Sequence, residues 1–151
     1  MVLTRFSSSL LVRTSAIMSV LIGMMYMPSV FSFSIPINGL GPELTGGQRI
    51  AELWGMYAVY GGIGIFLVSF LMNIVQSNLI KGIILGVALI AMFILIVAQL
   101  LPLFWWIFVG GVVFSWSSIL GVTLHLFLLI ISFWGAIVTI HTIERLKANL
   151  S

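Results

Sequence analysis

The stretch "LIKGIILGVALIAMFILIVAQLL", residues 79–101, runs straight into "PLFWWIFVGGVVFSWSS", residues 102–118. The first block is an apolar run with one charge, Lys81, at its head. A helix crossing a bilayer needs about 20 apolar residues, so this block reads as a membrane span, ended or bent by Pro102. The second block is aromatic, contains a glycine pair and is short for a full span. Whether it crosses decides between four spans and five.

Charge placement arbitrates, because cytoplasmic loops of membrane proteins carry an excess of Lys and Arg. With four spans, Arg5, Arg13, Lys81, Arg145 and Lys147 fall on one side, and only Arg49 falls on the other, beside Glu43 and Glu52. A fifth span moves Arg145 and Lys147 across and spoils the bias. The expected fold is therefore an all-α, four-helix membrane bundle with both termini on the cytoplasmic side. Residues 103–118 then form an interfacial or re-entrant segment near the outer surface. Trp105, Trp106 and Trp116, together with Trp54, are expected to form an aromatic belt there.

Composition agrees with this reading. Of 151 residues, 62% are hydrophobic and 6% are charged, against about a quarter charged in soluble domains. The net charge of +3 is spread along the chain without a basic patch, so no nucleic-acid partner is expected. The absence of cysteine excludes disulfides, iron–sulfur clusters and thiolate metal sites. The expected location is a bacterial or archaeal plasma membrane, or an organelle inner membrane.

The basic, serine-rich start reads as a short lead into a first span over about 14–33, with Pro28 as a tolerated kink. "SIPINGLGPELTGGQ", residues 34–48, is a loop by its prolines and glycines, and Thr45 is a candidate cap. The second span covers about 49–75, "QSN" makes a tight turn, the third span covers 79–101 and the last 120–146. All lie in one membrane domain.

In the second span Ala51, Gly55, Ala58, Gly62 and Ser69 recur at helical spacing. Small residues let membrane helices approach closely, so this stripe is expected to be a packing face, with the second span central. Gly82 and Gly86 form a similar pair in the third span.

Candidate chemistry is sparse. Glu52 lies near the start of the second span, in i,i+3 reach of Arg49 and favoured by the helix dipole. It reads either as a paired anchor or as a ligand- or proton-handling acid. Glu43, Arg49, Glu52, His125 and Tyr57 are expected on the outer side as a polar cluster. His125 and His141 are sixteen residues apart, about 24 Å along a helix, so they cannot share a metal or haem. No cofactor beyond bound lipid is expected. Single axial ligation of haem or chlorophyll by His125 is the competing reading, against a hydrogen-bonded packing role. His141 is expected to join Glu144 and Arg145 at the inner surface. No phosphate loop, nucleophile elbow or zinc motif is present. Polar groups suited to the bilayer core are few: Ser69, Asn73, Gln99 and Ser132.

Arg13, the apolar run to Gly23 and the turn-forming Pro28 resemble the first helix of DoxX-like four-helix membrane proteins. "AELWGMYAVYGGIGIFL", residues 51–67, is similar to that group's second helix, and the likeness covers roughly residues 13–68. Met24 and Met25 stand where the family usually has a basic residue, and residues 103–118 have no counterpart. The resemblance implies a small membrane subunit, in some members a companion of quinone-linked redox enzymes, with Glu52 as a cavity-facing acid. The expected function is a non-catalytic subunit that packs against other integral membrane subunits and lipid and stabilises a larger complex, of a redox, energy-converting or monooxygenase type. The alternatives are a small transporter or channel, and a quinone-linked redox component using the outer Glu52 and His125.

Overall fold

A computed structural model describes residues 7–26, 45–112 and 116–148. The secondary structure among them is four α-helices: α1 (Ser8–Met25), α2 (Thr45–Ile74), α3 (Asn78–Val112) and α4 (Trp116–Ala148). Each is long and apolar enough to cross a membrane, the architecture of a multi-pass membrane protein. Arg5, Pro28, Glu43 and residues 34–44 of the glycine–proline loop lie outside the described residues.

Local chemistry sets the helix ends. Ser7 is extended, and its carbonyl accepts the N–H groups of Leu10 and Leu11 at 3.0 and 3.2 Å, which starts α1. Between α2 and α3 only residues 75–77 are non-helical. There the Val75 N–H closes on the Leu71 carbonyl, and the Ser77 carbonyl accepts the Lys81 N–H. So short a connection forces the two helices antiparallel.

α3 departs from the expected boundary. It continues through Pro102 to Val112, and α4 begins at Trp116 rather than near residue 120. Residues 103–112 therefore extend α3, and 116–118 open α4. A proline inside a helix removes the donor to the carbonyl four residues back, here that of Ala98. The Trp54 indole N–H, reaching across from α2, donates to that same carbonyl at 2.9 Å. A membrane helix survives proline when a neighbour re-satisfies the freed carbonyl, and α2 does so here.

The helices form a ring in which α1 packs against α2 and α4, α3 packs against α4, and the α2–α3 contact is the slightest of the four. In such a ring no one helix is central: the second span, expected at the centre, packs against α1 on one side and α3 on the other. All neighbours run antiparallel, so the start of α1 and the end of α4 share one end of the bundle. Val12, Ala16, Ile65, Leu85, Met92 and Ala136 belong to the core toward that end. Large apolar side chains such as Leu79, Ile94, Val97 and Phe108 point outward, as expected where the surrounding solvent is lipid.

α1 and α2 meet at backbone distance. A Cβ added to Gly23 would lie 2.7 Å from the Gly55 carbonyl oxygen and 2.9 Å from the Ala58 Cβ. One added to Gly62 would lie 2.8 Å from the Ala16 carbonyl oxygen and 3.1 Å from the Val20 nitrogen. Ser19 seals the crossing by donating to the Ala58 carbonyl at 2.9 Å. Gly55, Ala58, Gly62 and Ser69 thus lie on the buried face of α2, while the Ala51 side chain is outside the described residues. The third-span pair behaves otherwise. A Cβ on Gly82 would make ordinary contact with Leu146 at 3.6 Å, and Gly86 faces open space, so the pair marks no close crossing.

Candidate functional site

The polar centre of the bundle is built on all four helices, at the end where α1 finishes and α4 begins. α4 contributes His125, only 1% exposed, and α3 contributes Gln99, fully buried. Tyr26 follows the last turn of α1, its N–H closing on the Gly23 carbonyl at 3.1 Å. Trp54 comes from α2 and Trp106 from the part of α3 beyond Pro102.

His125 is held at both ring nitrogens. Its Nε2 lies 2.6 Å from the Tyr26 hydroxyl, and its Nδ1 lies 2.6 Å from the Gln99 Oε1. The Trp106 indole N–H bonds the same Tyr26 oxygen. Indole nitrogen can only donate, so Tyr26 accepts from Trp106 and is left with its own proton to give. The Gln99 Oε1 can only accept, so His125 Nδ1 carries a proton and donates to it, and in the neutral ring Nε2 accepts from the Tyr26 hydroxyl. The chain of bonds therefore runs one way, from Trp106 through Tyr26 and His125 to Gln99. The Gln99 Nε2 at its end has no partner among the described residues.

Aromatic rings enclose this chain. Trp54 meets Tyr26 edge-on with ring centroids 4.9 Å apart and meets His125 edge-on at 5.1 Å. Edge-to-face pairs of this kind add about 0.5–1.5 kcal/mol beyond area burial. Trp106 is only 3% exposed, because Gly121, one turn before His125 on α4, has no side chain. A Cβ at Gly121 would run into the indole ring.

This geometry corrects several expectations. Tyr57 is 77% exposed on the outer face of α2, so it does not join His125. Glu43 is outside the described residues, and Arg49 and Glu52 belong to α2 with side chains that are likewise outside them. Trp54 and Trp106 turn inward rather than into a surface belt, while Trp105 and Trp116 are exposed. His125 has both ring nitrogens engaged, by Tyr26 and by Gln99, the bonding of a packed, hydrogen-bonded histidine. Among the described residues no group of His, Asp, Glu and Cys is arranged to hold a metal ion.

Other polar groups lie deeper. Ser15, Ser19, Ser69, Ser132 and Thr139 are fully buried, whereas Asn73 is exposed. Thr139 returns its proton to the Gly135 carbonyl at 2.7 Å. At the other end of the bundle His141 Nδ1 lies 3.2 Å from Glu144 Oε2 on the exposed surface of α4.

Tyr26 is the residue that sequence reasoning missed. Its signal was faint: an aromatic hydroxyl one turn past Gly23, in a span expected to continue to Phe33. A scan against protein-family models, a search of curated proteins and a search of solved structures each find no match to this chain.

Proposed function

We propose that this four-helix protein is a non-catalytic membrane subunit, one that packs against other integral membrane subunits and stabilises a larger complex. The observation that carries the reading is the mutual bonding within its polar centre. Tyr26, Gln99, Trp106 and His125 are bonded to one another in the bundle interior, which commits them to holding α1, α3 and α4 together. Exposed large apolar side chains run along α2 from Leu53 to Ile74, along α3 from Leu79 to Phe108 and along α4 from Ile119 to Ile140, a surface suited to neighbouring helices and lipid. In this reading both termini are cytoplasmic. In the same reading the last turns of α3 and the first turn of α4 lie near the outer interface. The resemblance to DoxX-like proteins fits the same reading, with a redox assembly as the partner and a plasma or organelle inner membrane as the location.

A second reading, a small transporter, is favoured by one observation. Buried polar side chains recur along the bundle from Gln99 and His125 down to Ser132, Ser15 and Thr139.

Purification in mild detergent, with identification of co-migrating proteins and an absorption spectrum, tests the proposal. Stoichiometric membrane partners are the expected result. A homogeneous lone species that conducts solute in proteoliposomes rejects it in favour of transport, and a bound chromophore rejects it outright.

A further inference from the structure

Arg13 is a cation inside a membrane-spanning helix, the sixth residue of α1, about 8 Å from its start at 1.5 Å per residue. A charge within a span is costly and normally pairs. The ion pair found among the described residues is His141 with Glu144, on another helix. The Arg13 Nε donates to Ser69 Oγ at a long 3.5 Å, and the Ser69 proton is committed to the Phe66 carbonyl. The guanidinium carbon sits 5.8 Å from the Phe66 ring centroid and 5.5 Å from that of Phe70, close enough for cation–π attraction. Among the described residues no acceptor meets its terminal nitrogens.

Three features identify what completes this site. Phe66 and Phe70 are themselves exposed on α2, as is Leu10 on α1, so the guanidinium lies in a lipid-facing groove between α1 and α2. An arginine side chain reaches several ångströms along a helix toward the interface, and its planar fork of donors matches phosphate oxygens. Arg13 also shares its end of the bundle with Lys81 in the first turn of α3 and with Arg145 and Lys147 in the last turn of α4. A basic end attracts anionic lipid.

We propose that the α1–α2 groove at Arg13 is a binding site for the phosphate headgroup of one anionic phospholipid, whose acyl chain lies along Phe66 and Phe70. The guanidinium supplies charge and directed donors. The two rings hold it in plane and cover its apolar side.

Native mass spectrometry of the delipidated full chain, titrated with phosphatidylglycerol or with phosphatidylcholine of the same chains, tests the site. One phosphatidylglycerol per chain is expected to bind at least tenfold more tightly than phosphatidylcholine, with Arg13→Gln abolishing the difference and Tyr57→Phe, exposed toward the other end of α2, leaving it. Phe70→Leu, which keeps the charge, is expected to weaken retention several-fold and serves where Arg13→Gln does not fold. Equal binding of the two lipids, or unchanged retention in both Arg13→Gln and Phe70→Leu, overturns the proposal. Displacement of the lipid by excess inorganic phosphate, or loss of a bound protein partner rather than of lipid in Arg13→Gln, overturns it too.

Discussion

Trp54 supplies the hydrogen bond that Pro102 withholds: its indole N–H donates at 2.9 Å to the Ala98 carbonyl, the acceptor that proline leaves without a helix donor. The two residues lie on different helices. The continuation of α3 past its proline is therefore a property of the α2–α3 pair rather than of α3 alone.

A double-mutant cycle reads this coupling directly. Trp54→Phe keeps a ring but strands the part-buried carbonyl, with an expected loss of about 1–3 kcal/mol in reversible unfolding in detergent. In a Pro102→Ala background the alanine N–H takes over, and Trp54→Phe is expected to lose less than half as much. Strictly additive effects would disprove the coupling.

Glycine substitutions on α2 should divide by face. Gly62→Ala places a Cβ against the α1 backbone, 2.8 Å from the Ala16 oxygen, and is expected to destabilise by about 1–3 kcal/mol. Gly61 and Gly64 face open space, and alanine there should be neutral or stabilise by up to about 1 kcal/mol. Thermal unfolding of the three variants in one detergent compares them. A destabilised Gly64→Ala with a silent Gly62→Ala contradicts the α1–α2 crossing.

The direction of the hydrogen-bond chain has a spectroscopic consequence. Nitrogen-15 NMR of labelled histidine is expected to show His125 as the neutral tautomer protonated at Nδ1, with Nε2 as acceptor. Tyr26→Phe removes that acceptor's donor and the acceptor of the Trp106 N–H together. It should lower stability by about 1–3 kcal/mol. An Nε2–H tautomer in the wild-type protein would reverse the assignment.

Gly121 guards the same chain from the other side. Gly121→Ala is expected to push the Trp106 indole off Tyr26, seen as a change in tryptophan fluorescence. Because the bond is then already broken, Tyr26→Phe added to Gly121→Ala should have a much smaller effect than alone. A full-sized effect in both backgrounds means that Trp106 keeps its place.

Apolar run length, the rarity of charge and its placement determined, by themselves, that this chain is four membrane-length helices. The reason is that a spanning segment must bury every backbone polar group within itself, so hydropathy alone announces it. Small residues at helical spacing marked the face on which Gly55, Ala58 and Gly62 lie, because backbone approach requires the absence of side chains whatever the partner. The polar centre was not legible in this way. His125, Gln99, Trp106 and Tyr26 come from three helices with no common spacing, and Trp54 and Trp106 carry the same residue type as an interfacial belt. Only the antiparallel packing of α1, α3 and α4 decided that these groups face one another. The end of α3 was misread for a related reason: a proline's missing donor is a local fact, whereas its replacement by Trp54 is a tertiary one.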